Sequence, residues 1–227
     1  MDHNLNITRI KAVYNAFREL RDEVVFTGGA TVSLYADREV LEPRPTDDVD
    51  VIVEISSYIE RSRLEEKLRD LGFFNDVHSG IICRYQVSGL IVDIMPTNDP
   101  TIGFNNPWYE DGFKHSVLHE IDDRHKVRIL SGPYFIASKL EAFKNRGNND
   151  GRTSHDFEDI IFILEQRSSI ISEMNQCEPD LKKYLIKEFM TLLDNPQIFE
   201  WIDSHTERGP IRSTRRIMDS LLSFIQQ

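Results

Sequence analysis

The stretch Arg44-Pro45-Thr46-Asp47-Asp48-Val49-Asp50-Val51-Ile52-Val53-Glu54 decides how the rest of the chain is read. From Val49 onward it is rich in β-branched residues, which makes Asp48 to Glu54 the best strand in the sequence. Side chains on a strand alternate between faces, so Asp48 and Asp50 point to one side while Val49, Val51 and Val53 turn to a core. Two carboxylates that close repel one another unless a cation sits between them. Mg²⁺ asks for just such ligands, hard oxygens together with substrate phosphates. Asp-x-Asp alone is usually a solvated strand end or turn, so its meaning depends on its flanks.

Upstream, Val24-Val25-Phe26-Thr27 reads as a short buried strand ended by Gly28-Gly29, and Ala30 to Asp37 as a helix beginning after the glycines. Glycine lets the backbone approach a ligand, with free N–H groups aimed at phosphate oxygens, and Thr31 and Ser33 offer hydroxyls beside them. A lone Gly-Gly is most often just a turn. Downstream, Ile81 to Val87 and Leu90 to Met95 form two strands around Ser88-Gly89, a two-residue hairpin signal. Asp93 stands there between Val92 and Ile94. Buried alone it would be a costly charge, so it needs a partner or a cation. If its strand lies beside the Asp48–Asp50 strand, the third carboxylate joins the same pocket.

The remaining elements fall around this frame. Ile7 to Arg21 carries a 3.6-period stripe of Ile7, Ile10, Val13, Tyr14, Phe17 and Leu20, hence a first helix. Pro43 and Pro45 break the chain at an irregular loop, and Ser57 to Leu71 reads as a helix with a serine start. Pro107 to Leu118 reads as helix then strand, and His125 to Leu130 as another strand. After Gly132-Pro133 the pattern stays helical, over 134–146, 155–167, 178–194, 196–204 and 211–225. The expectation is α+β: a mixed sheet with flanking helices over residues 1–130, then a helical bundle over 131–227.

Composition narrows the function classes. The 227 residues carry a formal net charge of −11, with 40% hydrophobic and 29% charged residues, as in an ordinary globular protein. Phosphate contacts are made by Lys and Arg, so this balance predicts no broad nucleic-acid surface, only a local patch. Ile160 to Leu164 is the longest apolar run, far short of the roughly 20 residues that span a bilayer. The N-terminus lacks the apolar stretch of a signal peptide. Cys83 and Cys177 lack metal-ligand spacing and read as structural thiols of a cytoplasmic protein.

Gly-Gly, then Asp-x-Asp on a strand, then a third strand Asp is the order seen in the polymerase-β-like nucleotidyltransferase superfamily, which this chain resembles. More closely, Thr27-Gly28-Gly29-Ala30, Arg44 to Glu54 and Val92-Asp93-Ile94-Met95-Pro96 are similar to AbiEii-type nucleotidyltransferase toxins of type IV toxin–antitoxin systems. So are Tyr134 to Gly147 and Ser154 to Ile161. The resemblance implies a polymerase-β-like fold in which Asp48, Asp50 and Asp93 are catalytic and hold Mg²⁺ or Mn²⁺. It implies Lys139 as a phosphate-contacting catalytic lysine and Asp156 shaping the site next to it, with Gly28, Gly29 and the hydroxyls of Thr31 and Ser33 read above as lying beside the nucleotide. An NTP such as ATP would be the substrate, a tRNA 3′ end or a protein hydroxyl the acceptor, and a winged-helix antitoxin the partner. The helical half would complete the nucleotide site and the acceptor cleft. Two departures stand out. Asp47 occupies a place where the family often has Lys, adding an acid to the site, and the gap from Gly29 to Asp48 is longer than in the wider superfamily, which leaves Arg44 unplaced.

Ordinary readings compete at other positions. An exposed lysine is the usual fate of a residue like Lys139, and a solvated face that of Lys144, Arg146 and Arg152. Arg208, Arg212, Arg215 and Arg216 cluster near the last helix, where an RNA or an acidic partner is the alternative to solvent. His155 beside Asp156 reads as structural, and Trp108, Tyr109 and Phe113 as core rather than a base-stacking platform. Two other functions stay open: nucleotidyl transfer to a small hydroxylated molecule of antibiotic type, and a binding module without turnover.

Overall fold

Val24, Val25, Phe26 and Thr27 are all buried and form β1 (Val24–Thr27), one of the inner strands of a mixed sheet. The structure, a computed structural model, describes residues 2–37, 43–55, 57–98, 106–148, 150–206 and 213–226. On one side β1 runs antiparallel to β2 (Asp48–Val53), and on the other parallel to β7 (His125–Ile129). β5 (Leu90–Pro96) lies parallel to β2 and forms a hairpin with β4 (Arg84–Val87). Two-residue β3 (Phe74–Asn75) and β6 (Val117–Asp122) are the edges, giving the order β3-β4-β5-β2-β1-β7-β6. The architecture is α+β.

Local chemistry explains most of these elements. Ser88 and Gly89 both have positive φ, +50° and +78°, the backbone that a tight two-residue hairpin requires. Helix α2 (Tyr58–Asp70) starts where Ser57 accepts a hydrogen bond from the Glu60 N–H. The first helix, α1 (Asp2–Phe17), buries Ile10, Val13, Tyr14 and Phe17. It ends earlier than its periodicity predicts: Arg18 takes a positive φ of +47°, and a 3-10 helix (Arg18–Asp22) carries the last apolar residue, Leu20, into the core. The expected helix after the glycines is a 3-10 helix too, Gly29–Tyr35. Thr31 turns both its N–H and its hydroxyl back to the Gly28 carbonyl, closing the tighter i to i+3 ring. The segment 107–118 becomes α3 (Tyr109–Lys114) followed by β6.

By contact clustering the chain divides into two compact units, Met1–Leu34 with Glu42–Ser131, and Tyr35–Leu41 with Gly132–Gln227. The second unit is built from α4 (Gly132–Arg146), α5 (His155–Gln166), α6 (Ile170–Gln176), α7 (Pro179–Leu193), α8 (Ile198–His205) and α9 (Ser213–Ile225). Phe143, Phe157 and Trp201 meet at ring-centroid distances of 5.3 to 6.1 Å, joining α4, α5 and α8. Phe189 of α7 meets Phe224 of α9 edge-on. Helix α6 was not expected: only Ile170 and Met174 anchor it, too few positions to show a period. Arg208 and Arg212 lie outside the described residues. Among the described residues no helix is long and apolar enough to cross a membrane.

Candidate active site

One row of residues crosses four strands. Thr27 of β1 pairs with Asp50 of β2, Asp50 with Asp93 of β5, and Asp93 with Arg84 of β4. Residues in register across neighbouring strands share a face, so all four project to the same side of the sheet. Asp48 stands two residues before Asp50 on that face, paired with Ile91. The opposite face of β2 is apolar, with Val49, Val51 and Val53 buried. The three carboxylates anticipated from sequence therefore lie on two adjacent parallel strands.

Arg84 was not anticipated, and it binds two of those acids. Its Nε donates to Asp93 Oδ1 at 2.8 Å, and its Nη2 to Asp93 Oδ2 at 2.8 Å and to Asp48 Oδ2 at 3.0 Å. The fork on Asp93 is the bidentate geometry that suits a planar guanidinium. Asp93 holds the guanidinium in its charged form first by that hydrogen bond, and Asp48 and Asp50 add to the effect through their charge. Side-chain exposures are 20% for Arg84, 35% for Asp48 and 12% for Asp93, so the cluster faces the edge of solvent. Next to it, burial pushes the Cys83 thiol up to about 11, with the Asp93 charge helping. That thiol is protonated and chemically quiet at neutral pH.

The glycines belong to the same place, and packing gives them a reason of its own. A Cβ on Gly28 would stand 1.8 Å from Asp50 Oδ2, and Gly28 holds φ at +72°. Gly28 thus leaves room for the Asp50 carboxylate and makes the turn out of β1. A Cβ on Gly29 would meet Thr46 Cγ2 at 2.8 Å and Arg44 Nη2 at 3.0 Å, which places Arg44 beside this turn. Asn6 of α1 organises the loop: its Nδ2 donates to the Arg44 carbonyl at 3.1 Å, and its Oδ1 accepts from the Thr46 N–H at 3.1 Å. Thr46 Oγ donates on to the Asp48 carbonyl at 3.0 Å. Thr31 spends its hydroxyl on Gly28, and Ser33 is buried with no hydrogen-bond partner for Oγ among the described residues. Asp47 does not crowd the cluster; its side chain is 99% exposed, with Arg9 at 3.8 Å.

In the helical unit, Lys139 and Asp156 come together within a second charged group. Lys139 is buried, against the usual exposure of a lysine; its side chain is 7% exposed and its Nζ lies 3.1 Å from Asp156 and 2.6 Å from Asp159. Arg146 grips Asp156 with Nε at 2.7 Å and Nη2 at 2.8 Å. Lys144 pairs with Glu141 and Glu188, and Arg152 with Asp150 and Glu200. Of the last cluster, Arg216 donates to the Glu165 carbonyl, and Arg215 is exposed. His155 is exposed, Tyr109 is buried, Trp108 half-buried, and Phe113 lies under the Arg128 guanidinium at 4.7 Å.

A cleft of about 450 Å³ opens at the other end of β1 and β2, lined by Val24, Val53, Glu54, Arg63 and Lys67 among others, and includes none of the three acids. Among the described residues no three His, Cys, Asp or Glu side chains are arranged, as they stand, to hold a metal ion. The donor chemistry of Asp48, Asp50 and Asp93 nonetheless suits a hard divalent cation: six carboxylate oxygens on one face, with a cation, Arg84, already drawn to them. No protein-family model matches the chain, and no curated protein matches it.

Proposed function

We propose that this protein is a metal-dependent nucleotidyltransferase with a polymerase-β-like catalytic unit, akin to the AbiEii-type toxins. The observation that carries the reading is the register of Asp50 beside Asp93, with Asp48 on the same face and Gly28 shaped around the Asp50 carboxylate. Asp48, Asp50 and Asp93 would hold Mg²⁺ or Mn²⁺. When bound, such ions lower the charge on the triphosphate and stabilise both the attacking and the leaving oxygen. The acceptor hydroxyl attacks the α-phosphorus in line, the α–β P–O bond breaks, and pyrophosphate departs. The Gly28–Gly29 turn lies next to Asp50 and supplies backbone close to where phosphates would rest. By the resemblance Lys139, with Asp156, would be the phosphate-contacting lysine; within the helical unit its Nζ is paired with Asp156 and Asp159. The acceptor is a tRNA 3′ end or a protein hydroxyl, and the outcome is growth arrest relieved by a winged-helix antitoxin.

A second reading, a binding module without turnover, draws on Arg84, which already answers two of the three acids. One assay separates them. The chain is incubated with Mg²⁺, each labelled NTP in turn, and total cell RNA or protein. The transferase reading expects label on one acceptor class, lost by a factor on the order of a hundred or more in Asp48→Ala, Asp50→Ala and Asp93→Ala. Equal labelling by wild type and all three variants, or none by wild type on any acceptor, overturns it.

A further inference from the structure

We infer that Arg84 is an internal stand-in for the divalent cation, so that metal enters this site by displacing the guanidinium and does so tightly only together with a triphosphate. The inference rests on the transferase reading and adds to it a rule for how the site is loaded. Its ground is the position of the guanidinium. Arg84 Nη2 stands 3.0 Å from Asp48 Oδ2 and 2.8 Å from Asp93 Oδ2, the place an ion bridging those two carboxylates would take. A guanidinium nitrogen and a metal ion cannot both stand there, because they would overlap and repel one another.

The geometry also allows exchange. Arg84 reaches the acids from the neighbouring strand β4 on a flexible stem, and its side chain is 20% exposed. The guanidinium can therefore leave by rotation of its own side-chain bonds, while the backbone pairing of Arg84 with Asp93 stays intact. Charge then sets the preference. Three carboxylates with one guanidinium carry a local −2, and an incoming divalent ion is attracted by that remainder yet repelled by Arg84. A displaced guanidinium with no anion to meet would lose its best partners. With a triphosphate present it gains phosphate oxygens, which a planar fork binds as readily as carboxylates. Metal and nucleotide thus favour one another through Arg84, a linkage that must be reciprocal. In the absence of nucleotide, Arg84 offsets part of the acids' charge and keeps stray cations from the space between Asp48 and Asp93.

The test is Mn²⁺ titration of the full chain by electron paramagnetic resonance, with and without a non-hydrolysable triphosphate analogue, on wild type, Arg84→Ala, Arg84→Gln and Asp50→Ala. Removing a unit charge next to the site should tighten Mn²⁺ binding without nucleotide by roughly ten- to a hundredfold in both Arg84 variants. The analogue should raise Mn²⁺ affinity strongly in wild type and only weakly in the variants. Arg84→Gln is shorter and uncharged but keeps a hydrogen-bond donor near the place of Nε, and serves if Arg84→Ala does not fold. Wild-type or weaker Mn²⁺ affinity in an Arg84 variant, with Asp50→Ala impaired, overturns the inference and leaves the transferase reading standing. Failure of wild type to bind Mn²⁺ even with the analogue, or Asp50→Ala binding as well as wild type, overturns both.

Discussion

Asp50 rests against a neighbour that has no side chain. With only 1.8 Å between a hypothetical Gly28 Cβ and Asp50 Oδ2, and φ at +72°, Gly28→Ala combines a steric clash with backbone strain. The strain alone is about 1–3 kcal/mol. We expect Gly28→Ala to lower the unfolding free energy measured in urea by at least that amount, whereas Gly80→Ala, at φ +71° with open space around it, loses only the strain. Equal losses at the two positions would show that the carboxylate does not press on Gly28. Asp156 supports a pH prediction. Burial alone would raise its carboxyl, but the Arg146 hydrogen bond and the Lys139 and Arg146 charges outweigh it and hold the group below the ordinary carboxylate range. A depressed folded-state value means stability that is complete above the unfolded value of about 3.9 and fades as pH falls below it. Asp156→Asn should therefore flatten the acid side of the stability–pH curve, measured as urea midpoint from pH 6 to 2.5. An unchanged acid slope would exclude this carboxylate as a contributor.

At the scale of elements, caps and turns carry the testable weight. Helix α5 presents Asp156 and Asp159 to Lys139, and its first turn is capped by Ser154, whose Oγ accepts from the Phe157 N–H at 3.3 Å. Ser154→Ala should cost about 1 kcal/mol in chemical denaturation. A loss within error of zero would mean that the neighbouring ion pairs, rather than the cap, hold the helix start. The hairpin between β4 and β5 shows how much of the site was readable. A two-residue loop at Ser88-Gly89 pairs Val87 with Leu90, Gln86 with Ile91, Tyr85 with Val92 and then Arg84 with Asp93. Both strands and the loop are visible in the sequence, so Arg84 opposite Asp93 could have been found by carrying the count three steps from the turn. Tyr85 and Val87 are buried on one face, which leaves Arg84 and Gln86 for the other. By contrast β3 and α6 were illegible because two residues, or two apolar anchors, show no period.

For the molecule as a whole, the acidic balance constrains any nucleic-acid acceptor. The net charge is −11, and in the basic stretch at and after the end of α4 the cations Lys144, Arg146 and Arg152 are all engaged by carboxylates. If RNA is the acceptor, the plot of log affinity against log salt should be shallow, with a slope of about −3 or less in magnitude. A slope near −8 would mean many phosphate contacts and overturn the reading of a local patch. The sequence by itself determined the strands that bear the acids, which face of β2 is apolar, the hairpin, and the change to helices after Gly132, because alternation, turn chemistry and helical period are local properties of the chain. The parallel pairing of β2 with β5, which sets Asp50 beside Asp93, was decided only in the tertiary structure, because α2, β3 and β4 intervene and no local pattern encodes the register of strands so far apart. The same holds for the fit of Gly28 around Asp50 and for the burial of Lys139 between two aspartates. Each depends on contacts between residues distant in the chain, and those exist only once the core has closed.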